Sequence, residues 1–264
     1  MKIINRLLFI LCCFVFENIS SQNDSINTLT HTVKDKSSVN SYKFAAGVAV
    51  GTDIGGAVPV PVSNVPGTIH AYPDINVSLG ARFTVPVTGH WLLGTEVTYK
   101  KLSLNAKTRV ENQKFQDKEN YFIQYFTGTA KMNMSFTFLE VPLLVKYNFG
   151  RSGHRAMAGP CFSYYLNTNF VTTAQIGFKG KEPDKVDEII DEDFEMVFTP
   201  YLDNWNIGAM IGYECEIFNK LQIGLRLTMN FRDIFKSDNR YFDYRMLPMY
   251  GSVLISYDLY RCSK

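Results

Sequence analysis

From residue 43 onward, apolar and polar positions alternate with a period of two, the spacing of an extended strand whose successive side chains point to opposite faces. The pattern predicts eight strands: 43–52, 74–87, 91–104, 138–150 (begun near Met134), 155–170, 204–217, 220–232 and 248–260. The seventh is the cleanest. There Leu221, Ile223, Leu225, Leu227, Met229 and Phe231 oppose Gln222, Gly224, Arg226, Thr228, Asn230 and Arg232. The fourth, FLEVPLLVKYNFG, sets Leu139, Val141, Leu143, Val145, Tyr147 and Phe149 against Glu140, Pro142, Leu144, Lys146 and Asn148. A carboxylate and an ammonium thus share the second face of a strand that otherwise reads as buried.

The connections alternate as well. Residues 88–90, 151–154 and 218–219 are short gaps, whereas 53–73, 105–133, 171–203 and 233–247 are long ones. Compact domains rarely hold several structureless loops beyond about 12–15 residues. Outer-membrane barrels do so as a rule, with short periplasmic turns and long outer loops, and strands of about 9–11 residues suffice to cross on a tilt. The expected fold is therefore all-β: an eight-stranded antiparallel up-and-down transmembrane β-barrel with short periplasmic turns, long extracellular loops and both termini in the periplasm.

A bilayer offers no water to backbone groups, so a spanning sheet must close, with one face on lipid and the other on the lumen. The predicted lumen charges are Arg82, Glu96, Lys100, Glu140, Lys146, Glu214, Glu216, Arg226 and Arg232. Eight strands leave an interior only wide enough for side chains, and unpaired buried charges are costly. These residues are therefore expected to pair into a plugged, charged core. Pro142 lacks an N–H and predicts a bulge or kink. Tyr99, Tyr147, Phe149, Trp205, Tyr213 and Tyr257 are candidates for interfacial girdles. The competing fold is a soluble sandwich or lipocalin-like cup with the apolar faces as its core. It leaves the charged faces beside wholly apolar ones unexplained.

Among 264 residues, 27 Lys and Arg nearly balance 25 Asp and Glu, so charge does not point to nucleic acid. Fifteen Tyr and twenty Phe favour sheet. Lys2 and Arg6 precede the apolar run LLFILCCFVF (7–16), too short to span a bilayer, and Ser20 and Ser21 follow. This predicts a secretory signal peptide over 1–21, a flexible periplasmic segment over 22–42 and the barrel domain over 43–264. Apolar Phe14, Val15 and Phe16 continue past Cys12 and Cys13, which argues against a lipoprotein cysteine. Cys161 and Cys215 fall on opposite faces by strand phase, so no bond between them is expected.

FLEVPLLVKYNF resembles the hxEhPhLhKY signature of the PorT-like outer-membrane β-barrel domain family found across Bacteroidetes. GPCFSYYLN, NIGAMIGYECEI and LQIGLRLTMNFRDIF are similar to that family's fifth, sixth and seventh strands, so the resemblance covers roughly residues 43–260. It implies an outer-membrane barrel of about eight strands, with a founding member linked to type IX secretion. The ending YDLYRCSK departs from the usual terminal aromatic residue.

Little else suggests chemistry. Of His31, His70, His90 and His154, only His70 is predicted in an outer loop, near Ser63 and Asp74. This allows, as the alternative function, a lipid-modifying hydrolase or acyltransferase at the outer rim. G-x-S-x-G, H-E-x-x-H and C-x-x-C motifs do not occur. The segment KEPDKVDEIIDEDFE (181–195) carries eight acids against two bases and reads as a solvated loop or helix; its cation-binding alternative lacks EF-hand spacing. ENYFIQYF (119–126) reads as an extension of its hairpin. The expected function is therefore a non-enzymatic barrel without a cofactor, metal or catalytic site. Its partners would be the bilayer, lipopolysaccharide, and envelope or secretion proteins. A small-solute channel is a third reading.

Overall fold

The computed structural model describes residues 42–65, 67–117, 122–149, 153–236, 242 and 244–263. The expectations for residues 1–41, and for the start of ENYFIQYF, lie outside them. Eleven strands follow in order: β1 (Tyr42–Val60), β2 (Gly67–Pro73), β3 (Asn76–Pro86), β4 (Trp91–Asp117), β5 (Phe122–Asn148), β6 (His154–Gly180), β7 (Glu188–Ile190), β8 (Phe194–Val197), β9 (Trp205–Phe218), β10 (Leu221–Asn230) and β11 (Arg245–Ser263). Eight of them close a ring in the order β4-β3-β1-β11-β10-β9-β6-β5 and back to β4. Every pairing is antiparallel. The remaining three, β2 on β4 beyond β3 and β8 and β7 on β6 beyond β9, lengthen the wall at one end of the ring. That is the hairpin end; the other, bearing the short turns, is the turn end.

A belt of exposed apolar side chains encircles the ring. It includes Val48 and Val50 on β1, Leu79 and Phe83 on β3, and Leu93 and Val97 on β4. Leu143 and Val145, Ile207 and Ile211, Leu225 and Leu227, and Val253 and Ile255 continue it around β5, β9, β10 and β11. A contiguous patch of this size on a monomer marks a surface wetted by something other than water. Aromatic clusters edge it. At the turn end, Trp91 packs on Tyr147 at 4.9 Å and Phe44 on Phe83 and Tyr260 at 5.5 and 5.6 Å. Toward the hairpin end, Phe162 stacks on Trp205 at 6.0 Å.

The long gaps are mostly strand. β4 and β5 each run for 27 residues, about 90 Å of chain at ~3.4 Å per residue and far more than a bilayer requires. The alternation keeps one phase from Trp91 to Val110 on β4 and from Ala130 to Asn148 on β5, but its polarity inverts. On β4 the outward residues are Leu93, Val97 and Tyr99, then Lys101, Asn105, Lys107 and Arg109. The inward residues are Glu96, Thr98 and Lys100, then Leu102, Leu104, Ala106 and Val110. β5 repeats the switch: inward Glu140 and Lys146 give way to Phe138, Phe136, Met134 and Met132, and outward Leu139 to Asn133 and Lys131. Below the switch the outer wall faces hydrocarbon. Above it the wall faces water, and the barrel needs an apolar core like any soluble protein.

That core is a cluster of Leu102, Leu104, Met132, Met134, Phe136, Phe138, Tyr165, Phe170 and Met246 from the walls. Phe198, Leu202, Ile234, Phe235 and Phe242, from the β8–β9 and β10–β11 connections, fold into the mouth and complete it. Phe170, Phe198, Phe235 and Phe242 contact one another with ring centroids 5.2–6.2 Å apart. Burial in this core pushes the Tyr244 phenol well above its usual range.

Pro142 does not shift the register. β4 and β5 pair at Thr95–Leu143 and Thr98–Glu140 in the same phase, and the Thr95 hydroxyl donates to the Pro142 carbonyl at 2.9 Å across the gap. The irregularities of β4 and β5 lie higher, at Val110/Gln113 on β4, where Asn112 has φ 52°, and at Thr137/Phe138 and Thr129/Ala130 in the β5–β6 ladder. The acidic segment 181–195 forms a turn followed by β7 and β8.

Candidate functional site

Inward positions below the switch bring charged side chains from all eight ring strands into a space that side chains alone can fill. They form three groups. Uppermost, beneath the aromatic core, Lys100 Nζ donates to Asp53 Oδ1 at 2.9 Å and Ser252 Oγ at 3.3 Å, and lies 3.0 Å from Glu140 Oε1. The Tyr250 hydroxyl donates to Glu140 and the Ser252 hydroxyl to Asp53, so both carboxylates around the single ammonium are further engaged. Lys100 also sits 4.9 Å from the centre of the Tyr250 ring.

Beside this, Arg226 on β10 meets Glu96 on β4 as a two-pronged fork, Nη1 to Oε2 at 2.6 Å and Nη2 to Oε1 at 2.7 Å. The planar guanidinium suits a carboxylate in this geometry as lysine would not. Toward the turn end, Glu214 collects three cations: Lys146 at 3.0 Å, Arg155 at 3.1 Å and Arg82 at 3.4 Å. Arg155 reaches on to Glu216 at 3.0 Å, and Arg261 joins Glu216 and Asp258, each at 2.9 Å. Gln222 donates to Asp258 at 3.0 Å.

The set balances. Asp53, Glu96, Glu140, Glu214, Glu216 and Asp258 are six acids, and Arg82, Lys100, Lys146, Arg155, Arg226 and Arg261 six bases, so their formal charges sum to zero. Neutrality matters because an uncompensated charge in such a space would cost several kcal/mol, roughly 3–5 when one partner of a pair is removed.

Of the predicted residues, Arg82, Glu96, Lys100, Glu140, Lys146, Glu214 and Arg226 lie in this buried network. Glu216 belongs to it but is half-buried at the turn end. Arg232 does not. β10 ends at Asn230, and Arg232 lies outside at the rim, its side chain 37% exposed, bonded to Asp203 at 2.6 Å and 3.6 Å above the Trp205 ring. Strand phase breaks where the strand stops, so parity alone misplaces it.

Sequence reading missed Asp53, Arg155, Asp258 and Arg261. Asp258 and Arg155 carry the correct parity on their strands but sit at the turn-end margins. Asp53 falls where the apolar alternation of β1 gives way to glycines. Arg261 follows the Tyr260 position, where the β1–β11 register slips near Ala46. Of the histidines, His70 is exposed on β2 opposite Lys107, while the Asp74 carboxylate accepts from Asn105 at 3.2 Å. His154, expected in an inner turn, is the first residue of β6, where it bonds the Tyr213 hydroxyl at 2.5 Å and lies 4.0 Å from Cys215 Sγ. Cys161, Cys215 and Cys262 are free thiols. Among the described residues no group of three or more His, Cys, Asp or Glu side chains is arranged to hold a metal ion.

The fold is similar to solved outer-membrane barrels. The attachment invasion locus protein Ail of Yersinia pestis has a TM-score of 0.36 and 5% identity, over 82% of this chain and 98% of that one. OprG of Pseudomonas aeruginosa has a TM-score of 0.34 and 12% identity, over 84% and 99%. The translocator domain of the autotransporter NalP from Neisseria meningitidis has a TM-score of 0.25 and 9% identity, over 94% and 95%. No curated protein matches the chain. The family model described as the outer membrane protein beta-barrel domain matches residues 20–236, so the chain belongs to that family of outer-membrane proteins.

Proposed function

We propose that this protein is a non-enzymatic, plugged outer-membrane barrel that presents its hairpin end outside the cell and keeps its turns and both termini in the periplasm. The observation that carries this reading is the pair of stacked layers in the interior, a charge-balanced ionic layer beneath an aromatic core. Neither layer suits conduction: the first ties each cation to a carboxylate, and the second places connections inside the mouth. The mouth itself is shaped as a rigid platform, since strands rather than loose loops carry β4 and β5 above the belt. Such a platform suits contact with envelope or secretion proteins. Its likeness to the PorT-like family supports a role beside an export machine.

The rim hydrolase built on His70 gains nothing from this geometry, because Asp74 is engaged with Asn105 and His70 lies beside Lys107 on an exposed wall. Two experiments test the proposal. Refolded protein in a planar bilayer should give no steady conductance; stable open-channel steps would refute the plug. A deletion strain should show altered secretion or envelope composition without altered uptake of small solutes. A defect confined to solute uptake would overturn the non-channel role.

A further inference from the structure

Above the polarity switch, the outer wall formed by β2, β4 and β5 carries bases that the fold does not neutralise. Lys101, Lys107, Arg109, Lys131 and His70 all point outward and are exposed. The ladder places His70 directly opposite Lys107, and Lys107 directly opposite Lys131, so three basic side chains lie in one row across three strands. Like charges facing each other across a ladder destabilise a sheet. Among the described residues, none of the four cations forms an ion pair. Among the described side chains, the acids beside these bases are Asp74, just after β2 and hydrogen-bonded by Asn105, and Glu111 at the upper end, so the bases stay in excess. The flank beyond β6 differs: there Lys179 pairs with Glu188 at 2.9 Å and Arg232 with Asp203 at 2.6 Å.

The height of the row identifies what could neutralise it. Lys101 is the next outward position after Tyr99, the last apolar residue of the belt on β4. At about 3.4 Å per residue and a tilt of about 40°, Lys101 stands roughly 5 Å above Tyr99, and the Lys107 row about 20 Å above it. The wall is thus continuous with the lipid-facing belt. It rises through the zone that the phosphorylated glucosamines and inner sugars of an outer-leaflet glycolipid occupy.

We propose that this wall is a binding surface for lipopolysaccharide, with Lys101 meeting the phosphates nearest the acyl chains and Lys107, Lys131 and Arg109 those on the inner sugars. The inference rests on the outward placement of the hairpin end proposed above. Exposed lysines next to an anionic membrane surface each add modestly to binding, so the effect should be spread over the row.

The test uses full-length mature protein refolded in phosphatidylcholine nanodiscs and titrated with fluorescent lipopolysaccharide, intact or phosphatase-treated. Wild type should bind the intact glycolipid at least tenfold more tightly than the dephosphorylated form. The combined variant Lys101→Gln, Lys107→Gln, Arg109→Gln and Lys131→Gln should lose that preference. A variant with Asp191→Asn, Glu192→Gln and Asp193→Asn on the other flank should keep it. Folding of each variant is checked by the unheated gel shift of the closed barrel. If the basic-wall variant folds and binds intact lipopolysaccharide within twofold of wild type, or if phosphatase treatment changes nothing, the inference fails while the membrane reading stands. If wild type itself does not enter nanodiscs, the outer-membrane reading fails first.

Discussion

Glu96 and Arg226 offer the sharpest test of the interior. Both side chains are 2% exposed, and their two N–O contacts are 2.6 and 2.7 Å. At an effective dielectric of about 20, opposite charges about 3 Å apart attract by roughly 5–6 kcal/mol, and the desolvation of both groups offsets much of this. Glu96→Leu strands the guanidinium and Arg226→Met strands the carboxylate, so each single change should cost about 3–5 kcal/mol. Replacing both, Glu96→Leu with Arg226→Met, removes both stranded charges and should fall within about 2 kcal/mol of wild type. The coupling should therefore be about 4 kcal/mol or more. Urea titration of the refolded barrel in lipid vesicles, read by the gel shift between folded and unfolded bands, measures all four species. A water-filled lumen would screen the pair to below about 1 kcal/mol, with small and additive costs. That result would refute the dry ionic core.

Other consequences follow from the layers. Phe170→Ala, which empties a fully buried position in the aromatic core, should cost about 3–5 kcal/mol in the same titration and expose the hairpin end to protease; an unchanged digestion pattern would contradict the packing. Leu225→Arg, in the middle of the belt, should destabilise the barrel in bilayers by about 2–4 kcal/mol, whereas Asn105→Arg, above the switch, should change stability by less than ~0.5 kcal/mol. Gly159→Ala should lower refolding yield, because a Cβ there would lie 1.9 Å from the Leu143 carbonyl oxygen and force the β5–β6 ladder apart; normal yield and stability would contradict that contact.

Much of the barrel was legible because β10, β9 and β3 alternate without interruption and because a carboxylate and an ammonium on one face of β5 exclude an ordinary core. The seven charges of the buried network that were foreseen, from Arg82 to Arg226, follow from that parity. The rest was hidden by physics that acts outside a single strand. The segment KLSLNAKTRV keeps the phase of β4 but puts lysine and arginine where leucine and valine had been. Read alone it resembles a polar connection. It becomes a strand only once its outward face is known to leave hydrocarbon for water. Phe198, Ile234, Phe235 and Phe242 belong to no strand, so periodicity could not place them in the mouth. Arg155 pairs with Glu214 and Arg261 with Glu216 across strands far apart in sequence, which no local pattern encodes, and Asp258 joins them through Arg261 three residues along β11.

The central claim is that the inversion on β4 marks where the wall leaves the bilayer. It is tested most directly by spin labels placed singly at positions 93, 95, 97, 99, 101, 103, 105, 107 and 109, in protein expressed without residues 1–21 (and so without Cys12 and Cys13) and carrying Cys161→Ala, Cys215→Ser and Cys262→Ser. Collisions with oxygen and with a water-soluble nickel chelate are then compared in bilayers. Oxygen should dominate from 93 to 99 and the chelate from about 101 upward, with one crossover near Lys100. Chelate access throughout, or oxygen access continuing unbroken to 109, would contradict the account.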